Sequence, residues 1–304
     1  MNYQIKKNMW GVISGNPGCG KSSLALSVPG RVLYLDCENS ISRVPVSLLF
    51  TRDVEVVNVD RWSVLTSLSD KFIDGFDWVV LDTIGKCVDL CKEVCVGKNG
   101  TLGFQGWGKV RDFMKLFVSR FKNKNALFVA HSREVKEEKS TDGECIIHPV
   151  IVSDGSFDLC LEQDCDLVSY LYQEGDCRKL FCGNFENRGW RFNGKEHWNL
   201  PRIIDIPKDT SRFDGFEAQV WSKICAFNDE QQGIIDAALA QQNDVLSRLQ
   251  SVSSETALNE LLTSLNNLSP VCRRGIWSKI LERGKDLNCV FDAKNKCFIL
   301  ENEE

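Results

Sequence analysis

The chain has 304 residues, 43% of them hydrophobic and 26% charged, enough apolar material for a sizeable buried core. Its net charge of −5 excludes a simple polycation that coats nucleic acid, and no apolar run approaches the roughly 18 residues of a membrane span. The opening MNYQIKKNMW lacks a signal-peptide core, so a cytoplasmic protein with reduced thiols and no membrane attachment is expected despite 14 cysteines.

In chain order, Met9–Ser14 (MWGVIS) has the length of a buried strand and leads into GNPGCGKSS, which fits G-x-x-x-x-G-K-[ST]. The loop comprises Gly15, Asn16, Pro17, Gly18, Cys19, Gly20, Lys21, Ser22 and Ser23, and KSSLALSV starts a helix after it. Its glycines let the backbone come close to a ligand, so successive N–H groups can converge on the phosphates of ATP. Lys21 is expected to reach the β and γ phosphates, and Ser22 to give a hydroxyl ligand to Mg²⁺.

Arg31–Glu38 reads as a second strand, Val54–Asp60 as a third, RWSVLTSLSDKF as a helix and Trp78–Thr83 as a fourth strand. That strand carries Asp82, the acid expected to organise Mg²⁺; a helix-capping Asp is the plainer alternative. Cys87, Cys91 and Cys95 recur every four residues on one helix face, which reads as small core residues rather than zinc ligands. Phe104 and Trp107 fall in the Gly-rich stretch GKNGTLGFQGWG, read as a loop and a stacking platform for bases. The amphipathic WGKVRDFMKLFVSRF then precedes a fifth strand, Ala126–Ser132, with His131 near its end. Residues 105–139 carry nine basic against four acidic side chains, among them Lys109, Arg111, Arg133 and Lys136, so a local basic face is expected on an acidic molecule.

CDLVSYLYQEG and DCRKLFCGN read as two strands meeting at a Glu-Gly-Asp turn. From about Asn228 the spacing becomes helical, with Leu258, Leu261, Leu262 and Leu265 on one face and Ser254 as N-cap. Strands alternating with helices predict an α/β fold, a mostly parallel sheet covered by helices, with a small C-terminal helical module. The domains are expected to be a core over 1–227 and the module over 228–304.

The residue after Asp82 is Thr83, whereas AAA+ enzymes usually place their water-activating Glu there. Glu38 fills the vacancy, because strand ends on the carboxyl edge of a parallel sheet converge on the ligand crevice. VLYLDCEN resembles the strand of RecA-like ATPases whose terminal Glu activates water. ALFVAHSRE resembles their later strand, where a polar residue, here His131, senses the γ-phosphate and connects to a mobile DNA-binding loop. A solvated acid and a strand-end histidine are the plainer readings of the two side chains.

The order of GNPGCGKSS, LYLDCE, WVVLDT, GFQGWGKVRDF, FVAHS and CDLVSYL over Met9–Pro207 resembles RecA-like ATPases generally, and more closely the phage-encoded single-domain recombinases of the Sak type, with an AAA_24-style P-loop domain. The resemblance implies an ATPase using ATP and Mg²⁺, acting on single-stranded DNA in recombination or replication as a homo-oligomeric filament or ring in a host cytoplasm. It implies catalytic roles for Glu38, Lys21 and His131, and nucleic-acid contacts for Trp107, Lys109, Arg111, Arg133 and Lys136. In CRKLFCGNFENRGW, Arg188 resembles a basic residue that a neighbouring subunit delivers in trans, although Glu186 stands where another basic residue belongs. The C-terminal helices are left for a protein partner. Two other classes stand beside this reading: a nucleotide-regulated adaptor or loader with little turnover, and a P-loop small-molecule kinase, for which no Arg-rich lid is found.

Overall fold

The computed structural model describes residues 8–50, 52–96, 100–137, 146–151, 163–175, 177–187, 190–196, 200–207, 220–265, 268 and 270–300. The chain divides into two compact units, Lys6–Asn228 and a second that contains Asp229–Glu304.

The first unit is built on an 11-stranded sheet. Its strands are β1 (Trp10–Gly15), β2 (Val32–Asp36), β3 (Val54–Asn58), β4 (Trp78–Asp82), β5 (Asn125–Glu137), β6 (Ile146–Ile151), β7 (Leu167–Glu174), β8 (Cys177–Phe181), β9 (Phe185–Asn187), β10 (Trp190–Phe192) and β11 (Ile203–Ile206). The main path runs β11-β8-β7-β1-β5-β4-β2-β3, and β6, β9 and β10 branch from β5. From β7 to β3 every neighbour is parallel, whereas β8 and β11 close the other edge antiparallel. This is a mixed, mainly parallel α/β sheet.

Strand residues alternate between two buried faces, which is why these strands read as continuous apolar runs. Val12, Leu35, Leu81 and Phe128 pack with helices α5 (Ile84–Cys95) and α6 (Phe104–Ser119) through Cys87, Cys91, Met114 and Phe117. Ile13, Tyr34, Val80 and Val129 face the other way, against α1 (Lys21–Ala25) and the first turn of a long helix through Leu24, Trp221 and Ile224. Trp221 meets Trp78 edge-on at 5.8 Å, and its indole N–H donates to Ser27 Oγ at 2.8 Å. A buried indole of this size satisfies its polar end as well as its apolar body.

Local chemistry shifts several expected boundaries. The helix read over RWSVLTSLSDKF is two, α3 (Trp62–Ser67) and α4 (Asp70–Asp74), because Leu68 is extended and Ser69 restarts the chain by accepting a hydrogen bond from the Phe72 N–H. Another short helix, α2 (Val46–Phe50), follows β2. Phe104 and Trp107 belong to the first turns of α6, not to a loop, since Gly103 already occupies the N-cap position.

The second unit holds most of α7 (Trp221–Ser251), then α8 (Glu255–Ser264), α9 (Pro270–Asp286) and an antiparallel hairpin of β12 (Cys289–Asp292) and β13 (Cys297–Leu300). Helix α7 passes unbroken through the expected boundary at 227. Ser254 caps α8 as the sequence predicts, accepting from the Ala257 N–H at 3.2 Å. Leu258, Leu261, Leu265, Ile276, Ile280 and Phe298 form the apolar core of this unit. The hairpin, absent from the sequence reading, is pinned to α8 by Asn259, whose amide donates to the Phe298 carbonyl at 2.9 Å and accepts from its N–H at 2.7 Å. No helix among the described residues is long and apolar enough to cross a membrane.

Candidate active site

The carboxyl ends of four strands converge beside GNPGCGKSS. Gly15 closes β1 in register with His131 on β5; Asp82 closes β4 in register with Asp36, which closes β2. Because β5 lies between β1 and β4, it delivers His131 between the loop and the two aspartates.

The loop is shaped by close approach. A Cβ on Gly15 would stand 2.5 Å from the Leu171 carbonyl oxygen, and Gly20 has a left-handed φ of +99°. Lys21 is buried, and its ammonium donates to the carbonyls of Gly15 and Asn16, both at 2.9 Å. Burial lowers its pKa, with Cys19, Asp82 and Glu38 opposing the shift. Burial likewise pushes the Cys19 thiol up, so it is a protonated filler of the loop rather than a nucleophile.

Asp82 is the hub of a hydroxyl cluster. Its Oδ2 accepts from Ser22 Oγ at 2.6 Å, from Ser40 Oγ at 2.7 Å and from the Tyr34 hydroxyl. Burial holds the Tyr34 pKa well above its ordinary value, so the phenol remains a donor. Asp36 would repel Asp82 from the neighbouring strand, and Ser40 lies between them, with its Oγ 3.1 Å from Asp36 Oδ1. The backbone N–H groups of Glu38, Ser40 and Ile41 complete the shell of Asp36 at 3.2, 2.9 and 3.0 Å. Those bonds curl the chain after β2 into a tight loop, so Glu38 stands two residues past the strand rather than at its end.

Glu38 is held from two sides. Thr83 Oγ1 donates to Oε1 at 2.6 Å, and His131 Nε2 lies 3.1 Å from Oε2. The hydrogen bond from His131 is the main cause of a pKa lowered to about 2; Thr83 and Lys21 add to it against partial burial. Thr83 also caps α5, accepting from the Lys86 N–H at 3.4 Å, which leaves Asp82 free of the capping role.

These groups open onto one cavity of about 460 Å³, lined by Gly18, Gly20, Lys21, Ser22, Glu38, Asp82 and His131, with Arg43 and Arg178 at its sides. The size is that of a pocket for a small organic ligand. Among the described residues no group of three or more His, Cys, Asp or Glu could hold a metal ion by itself.

Residues 7–200 match the family model AAA_24, described as an AAA domain. The chain belongs to that family. The AAA domain spans β1 to β10 and contains the whole cavity just described, so the molecule has the RecA/AAA+-like P-loop fold of proteins that bind and hydrolyse ATP. No curated protein matches it. Among solved structures, the flagellar accessory protein FlaH from Methanocaldococcus jannaschii is similar at 11% identity, over 66% of this chain and 85% of that one, with a TM-score of 0.33.

Within the AAA domain the structure brings together Lys21, Ser22, Glu38, Asp82 and His131. Of the expected nucleic-acid residues, Trp107, Lys109 and Arg111 lie outside that group. Lys109 and Arg111 are exposed on α6, Arg111 beside Asp112 at 3.3 Å, and the Lys92 ammonium lies 5.3 Å from the centre of the Trp107 ring. Arg133 and Lys136 lie on β5 beyond His131, their side chains outside the described residues, as is Arg188 altogether. Sequence reasoning missed Tyr34, Asp36, Ser40, Thr83, Arg43 and Arg178. The first three were hidden inside what reads as strand and loop; Thr83 was noted only as the Glu that Asp82 lacks beside it.

Proposed function

We propose that this AAA domain is a RecA-like ATPase of the Sak-type recombinase group, coupling ATP hydrolysis to single-stranded DNA in recombination or replication. The observation that carries the reading is Glu38, an ionised carboxylate held by Thr83 and His131 at the mouth of the P-loop cavity. A carboxylate with a pKa of about 2 is a poor proton sink, so Glu38 orients the attacking water more than it deprotonates it. Lys21 exchanges its two carbonyl contacts for oxygens of the β and γ phosphates. His131, bonded to Glu38, reports the γ-phosphate to the rest of β5.

The hydroxyl of Ser22 and the carboxylate of Asp82 are oxygen donors 2.6 Å apart, the hard donor set that suits Mg²⁺ with phosphate and water completing its shell. When bound there, the ion neutralises charge on the phosphate oxygens. Lys109, Arg111, Arg133 and Lys136 meet DNA phosphates, Trp107 stacks on a base, and Arg188 acts on the nucleotide of a neighbouring copy in a homo-oligomer. Residues 228–304 form a separate module that takes a protein partner.

The test is ATP turnover with and without single-stranded DNA, alongside DNA affinity over a salt series. DNA should stimulate turnover, and neutralising the four basic residues should flatten the slope of log affinity against log salt by about 0.7 for each phosphate left without its cation. Turnover indifferent to DNA removes the DNA coupling and favours the small-molecule kinase, whereas little turnover under either condition favours the nucleotide-regulated adaptor.

A further inference from the structure

On the side of the P-loop away from Glu38, β7 overshoots β1. Leu171 is in register with Gly15, the last residue of β1, yet β7 continues to Glu174, turns at Gly175 and returns as β8. The hairpin therefore stands above the carboxyl edge of the sheet as a wall beside the loop. On β8 the two-residue period puts Arg178 on the same face as Leu180 and Cys182, both buried in the cluster that contains Leu24 of α1 and Cys19 of the loop. That face directs the guanidinium over the P-loop: a Cβ placed on Gly20 would lie 2.9 Å from Arg178 Nη1.

Two further observations mark Arg178 as more than a packing residue. It lines the same cavity as Lys21, Ser22 and Glu38, and among the described residues it makes no ion pair with a carboxylate. A half-buried cation aimed into a pocket of phosphate-binding shape is complementary to a phosphate. The sheet order fixes which part of the nucleotide it meets. Glu38, Asp82 and His131, the groups at the reacting end, all arrive from β2, β4 and β5, on one side of β1; Arg178 arrives from β8, across β7 on the other side.

We propose that Arg178 is a nucleotide-binding residue that acts in cis on the portion common to ATP and ADP, the α and β phosphates, and not on the γ-phosphate. This rests on the reading of the cavity as the ATP site. Arg178 then holds substrate and product alike, and governs how long ADP stays after hydrolysis. Gly20 serves it doubly, by giving the loop its left-handed turn and by leaving room for the guanidinium.

The experiment measures the affinity of ADP and of a non-hydrolysable ATP analogue for the parent chain, Arg178→Ala and Arg178→Lys, with thermal unfolding of each as a check on folding. Removing a charge-assisted hydrogen bond to phosphate should weaken both nucleotides by about ten- to a hundredfold and to a similar extent, with Lys recovering part of the loss. Arg178→Met, which keeps the apolar stem on β8, should behave as Ala does if the alanine variant is unstable. Weakening confined to the ATP analogue overturns the proposal in favour of a γ-phosphate contact, and unchanged affinity for both overturns it in favour of a purely structural arginine. A parent chain that binds neither nucleotide overturns the ATP-site reading itself and this proposal with it.

Discussion

The nucleotide-binding unit and the C-terminal unit bury different kinds of side chain. In the first, Lys21, Asp36, Ser40, Asp82 and Thr83 are all nearly inaccessible and all crowd the carboxyl edge of the sheet. In the second, Gln232 is the one buried polar side chain among the described residues, beside a core of leucine, isoleucine and phenylalanine. Burying a polar group is unfavourable unless its hydrogen bonds are met, and at the sheet edge they are met mutually, through Ser40 between two aspartates and Thr83 on Glu38. Such a network stabilises less than an apolar core of the same volume. Its presence marks where the molecule keeps charge ready for a ligand, and its scarcity marks the C-terminal unit as a body held by packing.

The largest test of this contrast is Glu38→Gln, which keeps the shape and removes the charge. Turnover should fall by about a hundred- to ten-thousandfold, with nucleotide affinity nearly intact. Steady-state hydrolysis beside equilibrium binding measures both, and turnover at the parent level would strip Glu38 of its role. Next comes Leu258→Ala in the apolar core of the second unit, expected to cost about 2–5 kcal/mol. The C-terminal unit should then unfold at a lower temperature while ATP binding persists; ATP binding lost in the same transition would show that the two units share one stability. A chain ending at Asn228 sharpens the point, because it retains Trp221 against Trp78 and should still bind ATP.

Ser40→Ala is subtler. It removes the hydroxyl that separates Asp36 from Asp82, at an expected cost of about 1–2 kcal/mol at neutral pH, read from urea unfolding. An unfolding midpoint equal to that of the parent would mean that Ser40 only fills space. The smallest effect is the acid limb of stability itself. Glu38 titrates at about 2 in the fold against an ordinary value of 4.5, so its contribution is fully present above 4.5 and fades as pH falls toward 2. Unfolding free energy measured across that window should fall less steeply in Glu38→Gln than in the parent, and identical slopes would show that the His131 and Thr83 contacts do not survive in solution.

Most of the fold was legible because a parallel sheet buried on both faces writes itself as short continuous apolar runs, and because GNPGCGKSS admits few other uses. Lys21 and Ser22 could be read from that motif, and Glu38, Asp82 and His131 could be gathered at or just past strand ends, since that edge is where such ends meet. Arg178 could not. Its place depends on how far β7 overshoots β1 and on the register of the returning strand, neither of which leaves a local mark in QEGDCRKL. Tyr34 looks like one more core residue of β2, and only the cluster on Asp82 shows its hydroxyl at work. The β12–β13 hairpin escaped because strands of four residues around a charged turn, DAKNK, carry too little periodicity to outweigh the helices before them.

Strand β5 belongs to two pairings at once. Up to His131 it lies between β1 and β4, and from Ser132 to Glu137 it pairs with β6 instead. A ladder of this kind resists bending far more than a loop does, so β5 is a stiff pushrod anchored at one end in the nucleotide cavity. Its far tip, six residues past His131, stands about 20 Å away at the usual rise of a strand. On the function proposed above, a tilt of His131 against Glu38 would be handed along the rod to the stretch bearing Arg133 and Lys136. A rearrangement beside a phosphate would then reach the opposite end with no hinge between them.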